Sequence, residues 1–125
     1  MLCLGSVISH AQDLSIEELN LLQSAANNSS HEFTECAANY MIVAQCMNNT
    51  KEGSGAGYSN LADNFFKKAV ALGEVASVKN EVIAKRLDMS VDEQIDQMSG
   101  CQNIMIIWDQ TEKCNSIAET GLQTR

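Results

Sequence analysis

The sequence predicts an all-α fold: a disulfide-stapled bundle of four to five helices. Three observations predict it. The 125 residues contain no proline, while Ala, Leu, Glu, Gln and Met, which favour helices, are abundant. Aromatic residues make up only 5% of the chain, and the period-two alternation with Gly/Pro turns that marks a β-sandwich is missing. Four cysteines fall in two pairs, Cys36 with Cys46 and Cys101 with Cys114, as in small proteins of oxidising compartments.

The fifth cysteine, Cys3, lies in an apolar run from Leu2 to Ile8 that is followed by Ser9-His10-Ala11. Small residues three and one positions before a cut after Ala11 fit an export signal. The run is short, and no Lys or Arg precedes it. Residues 1–11 are therefore read as an export signal and residues 12–125 as one helical domain. No stretch of about 20 apolar residues is present, so no transmembrane helix is expected. The expected location is the periplasm or the outside of the cell.

Helix starts are legible from capping boxes, in which a hydroxyl accepts from the third helical amide and a Glu reaches back to the cap amide. Ser15-Ile16-Glu17-Glu18 opens a first helix to about Ala26, with Leu19 and Leu22 inward and Asn27-Asn28 as its break. Ser29-Ser30-His31-Glu32 opens a second, to about Asn49, whose core face carries Phe33, Cys36, Ala37, Tyr40, Ala44 and Met47. Lys51 to Ser59, with three glycines, is the flexible connector. Asn60 restarts helix with Leu61, Phe65, Ala69 and Leu72 on one stripe, and Gly73 is its stop or kink. Ser90-Val91-Asp92-Glu93 is another capping box, yet Ala84, Leu87, Val91, Ile95 and Met98 keep one apolar stripe through Ser90. A continuous helix fits that stripe better than a split one. Gly100 ends it, and Cys101 to about Glu119 forms the last helix, with Ile104, Met105, Ile107, Trp108 and Cys114.

Helix geometry limits the disulfides. Ten helical residues span about 15 Å, whereas a disulfide holds its Cα atoms within about 7 Å. Cys36–Cys46 and Cys101–Cys114 are thereby excluded. Reversal of the chain at Gly73 gives the nested pairs Cys36–Cys114 and Cys46–Cys101. Reversal at Ser90 gives Cys36–Cys101 and Cys46–Cys114 instead. The unbroken stripe through Ser90 favours the nested set.

The Cys-x9-Cys spacing of the first pair resembles the twin C-x9-C helical hairpins of the mitochondrial intermembrane space. The second spacing is twelve and 54 residues separate the pairs, so the likeness is one of shared physics. A closer resemblance runs through Glu35-Cys36-Ala37-Ala38-Asn39-Tyr40, Cys46, the stripe from Ala84 to Met98, Gly100-Cys101-Gln102-Asn103-Ile104 and Lys113-Cys114. It is similar to a group of small exported bacterial proteins with an E-C-A-A-Y-Y motif and a later C-x-N-I…C. Asn39 stands where that group has its first tyrosine. The resemblance implies a helical fold and export, and implies no activity.

Sites of chemistry are scarce. His31, Glu32, Glu35 and Cys36 cluster on one or two turns, but the spacing of His31 and Cys36 suits no single helix face, and an oxidised Cys36 offers no thiolate. Redox catalysis would need C-x-x-C or a lone activated thiolate, and neither occurs. A hydrolase would rest on His31 alone. The glycines of Gly53-Ser54-Gly55-Ala56-Gly57 follow a helix and lack the Lys-Ser/Thr of a phosphate loop. Asn27, Asn28 and Asn48 head glycosylation sequons relevant only to a eukaryotic host. No metal, cofactor or catalytic set is expected.

What remains is surface. Sixteen acids against eight bases give a net charge of −8, which argues against nucleic-acid binding and allows a basic protein partner. Asp88, Asp92 and Asp96 recur every four residues with Glu93 beside them; like charges at that spacing cost stability and invite a cation. Ile104 to Trp108 is apolar nearly all round, more than one core face needs, so part of it is a candidate contact surface. The expected function is a non-enzymatic interaction, inhibitor or assembly module, monomeric or homodimeric. The alternative is a small-molecule carrier or an acid-stress chaperone.

Overall fold

The computed structural model describes residues 15–48 and 55–120. Its elements are α1 (Ile16–Asn48), α2 (Ala56–Val75), α3 (Asn80–Met98), a 3-10 segment (Cys101–Ile107) and α4 (Trp108–Thr120). No strand occurs among the described residues. The export signal at residues 1–11 lies outside them. No described helix is long and apolar enough to cross a membrane.

α1 is one helix of 33 residues, about 50 Å long, rather than two broken at Asn27-Asn28. Its start is as expected: Glu18 N donates to Ser15 Oγ (3.1 Å), and Ser15 N donates to Glu18 Oε1 (3.2 Å). The second capping box is not used as a cap. Ser30 is buried and donates to the Ala69 carbonyl of α2 at 2.7 Å, and Thr34 donates to the Ser30 carbonyl. Asn27 accepts from Arg86 Nη1 at 2.9 Å. Residues that would end a helix locally are engaged across the bundle, so tertiary bonds override local preference.

α1 and α2 pack antiparallel along a seam with coiled-coil spacing. On α1, Ala26, Ser30, Phe33, Ala37, Tyr40 and Ala44 alternate three and four apart and are all buried. On α2 the row is Tyr58, Ala62, Phe65, Ala69 and Leu72. From Ser30 onward on α1, and throughout α2, large and small residues alternate, and rings meet rings across the seam while small residues meet small ones. Phe65 meets Phe33 and Tyr40 edge-on, each at 5.2 Å between ring centres. The register holds throughout: Tyr40 lies by Tyr58, Ser30 by Ala69 and Gln23 by Ser77. At the loop end Gly55 packs so closely on α1 that a Cβ there would overlap the Ala44 carbonyl oxygen. That contact requires glycine. It also places the start of α2 at Ala56, earlier than the restart expected at Asn60.

α2 runs past Gly73 to Val75. Gly73 is buried, and its missing Cβ leaves room for Ile83 of α3. The chain then reverses through Ser77, which holds a left-handed φ of 62°. α3 is continuous through Ser90. Its inward face is rotated from the expected stripe: Ile83, Ser90, Gln94 and Met98 are buried, whereas Ala84 and Ile95 are exposed. Two polar side chains account for the rotation. Gln94 donates to Ser90 Oγ (3.1 Å) and to the Glu35 carbonyl (3.3 Å), and accepts from Asn39 Nδ2 (3.1 Å). Asn39 also donates to the Ile107 carbonyl (3.4 Å) and accepts from Thr111 Oγ1 (2.7 Å). Every donor and acceptor of the Asn39 and Gln94 amides is engaged, in a network that joins α1, α3 and α4.

Cys36–Cys114 and Cys46–Cys101 are the disulfides, with Cα atoms 5.5 and 5.4 Å apart. This is the nested set, and it lays the 3-10 segment and α4 antiparallel to α1. Each bond closes a long loop, of 78 and 55 residues in sequence separation, and each stabilises by about 2–4 kcal/mol, largely through the unfolded chain. The centre of α1 is enclosed on all sides, so Cys36 through Tyr40 are buried consecutively. The Tyr40 hydroxyl reaches Asn115 Oδ1 at 2.8 Å. Burial first, and the neighbouring Tyr58 second, push its pKa up to about 12, so the phenol stays neutral at physiological pH.

Removing Asn39 strands several buried partners at once, whereas removing the Thr111 hydroxyl strands one. Asn39→Ala is expected to cost about 2–4 kcal/mol and Thr111→Val about 1–2 kcal/mol. Urea unfolding with the disulfides intact measures both.

Candidate interaction surface

The 3-10 segment is where the apolar run Ile104 to Trp108 is displayed. α3 stops because Ser99 takes a left-handed φ of 63° and Gly100 a φ of 151°, a region that suits glycine. The Asn103 amide then donates to the Gly100 carbonyl at 2.9 Å. A 3-10 helix has three residues per turn, so side chains three apart eclipse. Ile104 and Ile107, which follow a break at Asn103 (φ −105°, ψ 21°), therefore share one row. Cys101 is tied to Cys46, Ile107 is buried with Ile42, Cys46 and Met98, and Ile104 packs against that cluster. Met105 and Ile106 fall on the other rows and stand 70% and 58% exposed. The single α-helix expected from Cys101 onward is instead this 3-10 segment followed by α4.

Carboxylates flank Ile106. Ile106 and Ile107 line a hollow of about 260 Å³ with Glu35 of α1, Glu93 of α3 and Asp109 of α4, with Lys113 as its cation. The buried Gln94 amide forms part of its wall. Asp88, Asp92 and Asp96 are all exposed. On the helical wheel they project opposite the buried row Ile83, Ser90, Gln94 and Met98. Ile106, rather than Trp108, stands with the carboxylates. Trp108 is half-buried where α4 begins.

The residues weighed for chemistry are placed as follows. Cys36, fully buried, is engaged in a disulfide. His31 lies 3.9 Å from Glu35, both half-exposed on the α1 surface. Among the described residues, no group of three His, Cys, Asp or Glu side chains converges as a metal site would require. Ile106 belongs to the apolar run expected to offer a contact surface, Glu35 stands out in sequence only in a metal-like cluster, and no sequence pattern singles out Asp109. They come from three elements that only the tertiary fold brings together.

No protein-family model, curated protein or solved structure matches the chain. What the fold defines is a small all-α protein stabilised by two interhelical disulfides, a construction typical of oxidising compartments.

If Met105 and Ile106 are surface and Ile107 is core, substitutions at neighbouring positions should separate sharply. Ile106→Ser is expected to change unfolding free energy by less than about 0.5 kcal/mol. Ile107→Ala is expected to cost about 2–4 kcal/mol. Urea midpoints of the two variants give the comparison.

Proposed function

We propose that the protein is an exported, non-enzymatic interaction module that docks a basic protein on the 3-10 rim and the carboxylates that flank it. One observation carries this reading. Met105 and Ile106 project into solvent from a segment that a disulfide and a buried isoleucine hold in place. Exposed apolar side chains on immobile backbone lose little entropy on binding, and such residues supply most of the free energy at interfaces. Glu35, Glu93 and Asp109 around Ile106, and Asp88, Asp92 and Asp96 on the outer face of α3, set the sign of the partner. Rim charges of this kind steer and select a cationic surface. The disulfides and the Ser9-His10-Ala11 signal favour export to the periplasm or beyond.

A small-molecule carrier is the second reading, favoured by a groove of about 450 Å³ lined by Met41, Ala44, Ala62, Phe66 and Leu87. The groove opens to solvent, so an apolar ligand would keep one side wet. Docking of a protein makes better use of the exposed rim.

Capture from an envelope extract, followed by titration of the purified partner, tests the proposal. Ile106→Ser is expected to weaken binding by about tenfold or more, and Asp92→Lys by a few-fold. Affinity should also fall with added salt. Failure to retain any partner, or unchanged affinity in both variants, would count against docking at this surface.

A further inference from the structure

The two disulfides have different surroundings. Cys36 and Cys114 have no exposed surface. They belong to the main core with Phe33, Tyr40 and Phe65, and Gln110 Nε2 lies 3.7 Å from the Cys114 sulfur. Cys46 is 6% exposed and packs with Ile42, Met98 and Ile107. Cys101, by contrast, is exposed, as are Gln102 and Asn103 after it. A thiolate therefore reaches the Cys46–Cys101 bond from the Cys101 side. Exposed disulfides are the ones that exchange, and buried ones resist it.

The Cys46–Cys101 bond fastens a stretch bounded by backbone breaks. Upstream, α3 ends at Met98 and the chain passes through the positive φ angles of Ser99 and Gly100. Downstream, Asn103 interrupts the 3-10 geometry. Ile104 and Ile107 in the small cluster, and the Ile107 carbonyl on Asn39, tie the chain beyond that break. Cys36–Cys114 fastens α4 to α1 independently.

We infer that Cys46–Cys101 is a thiol-exchange site, reduced by a dithiol through attack at Cys101 while Cys36–Cys114 stays closed. In the first step a thiolate of the dithiol bonds to Cys101 Sγ. The Cys46–Cys101 bond breaks, and its electron pair leaves on Cys46 Sγ, which takes up a proton. The second thiolate of the dithiol then attacks the first, displacing Cys101 Sγ, which is protonated in turn. The dithiol ends as a disulfide, with its two electrons and two protons on Cys46 and Cys101. The opened protein keeps the α1–α2 seam and α4 in place and loosens the backbone that carries Met105 and Ile106. Docking on the rim then meets an ordering cost that the oxidised protein lacks. That consequence rests on the docking reading above, whereas the exchange itself does not.

Dithiothreitol titration of the protein, with free thiols blocked beforehand, tests the inference. Each stage is quenched with iodoacetamide, and peptide mapping identifies the alkylated cysteines. Cys46 and Cys101 are expected to be labelled at least about tenfold faster than Cys36 and Cys114, with far-UV circular dichroism retained at the two-thiol stage. Reduced glutathione in place of dithiothreitol should leave its mixed disulfide on Cys101. Labelling of all four cysteines together, labelling of Cys36 and Cys114 first, or a mixed disulfide on Cys46 would overturn the inference. Cys46→Ser combined with Cys101→Ser reproduces the open state without reductant and should stay helical. Loss of helicity in this variant would also overturn the inference, since the bond would then hold the whole fold. Binding gives a separate readout: the two-thiol protein should hold a partner captured from envelope extract about three- to tenfold more weakly. Equal affinity of both forms for a partner that Ile106→Ser weakens would overturn release of the rim and leave docking standing. Selective exchange with no partner retained would support the exchange site and count against docking.

Discussion

The antiparallel seam between α1 and α2 holds one register from Gly55 beneath the Ala44 carbonyl to Ser77 beside Gln23, and each later element is positioned from it. Phe65 locks between Phe33 and Tyr40 by edge-on contacts, and small residues between the rings, such as Ser30 beside Ala69, let the backbones approach. That fixes which side of α1 is left for the rest of the chain. Cys36 and Cys46 stand about 15 Å apart on this helix, and their disulfides set the direction of the C-terminal segment. The Asn39–Gln94–Thr111 network then fixes the rotation of α3 and α4 about α1. Polar groups that must all be satisfied specify a packing more sharply than apolar contacts do.

Part of this was legible in the sequence, for physical reasons that differ by element. Helix class, the Ser15 capping box and the reversal after Gly73 depend on local residues, and local residues reveal them. The cysteines were legible through arithmetic: a helix of known rise cannot close a disulfide on itself. Asn27-Asn28 misled because a break signal is local, whereas Arg86, which accommodates Asn27 within the helix, lies 59 residues away. The α3 stripe was misplaced because Ala84 and Ile95 look like core while Gln94 looks like surface. Nothing short of the tertiary network shows that Gln94 is satisfied inside. Asp88, Asp92 and Asp96 could be placed on one face from spacing alone. The hollow around Ile106 could not, since its carboxylates come from α1, α3 and α4.

The 3-10 segment links fold to function. Ile104 and Ile107 are held against the Ile42, Cys46 and Met98 cluster, and Met105 and Ile106 are left exposed. The Cys46–Cys101 bond removes freedom from the backbone carrying Met105 and Ile106. A contact made there loses little further entropy.

The central claim is that the α1–α2 seam stands by itself and the C-terminal segment is fastened to it. Hydrogen exchange on protein with Cys46–Cys101 selectively reduced and capped tests this most directly, because Cys101 is exposed whereas Cys36 and Cys114 are fully buried. The account predicts lost protection across Cys101–Ile107, with α1 from Phe33 to Ala44 and α2 from Ala62 to Ala69 still protected. Loss of protection in the seam itself, or an unchanged 3-10 segment, would contradict it.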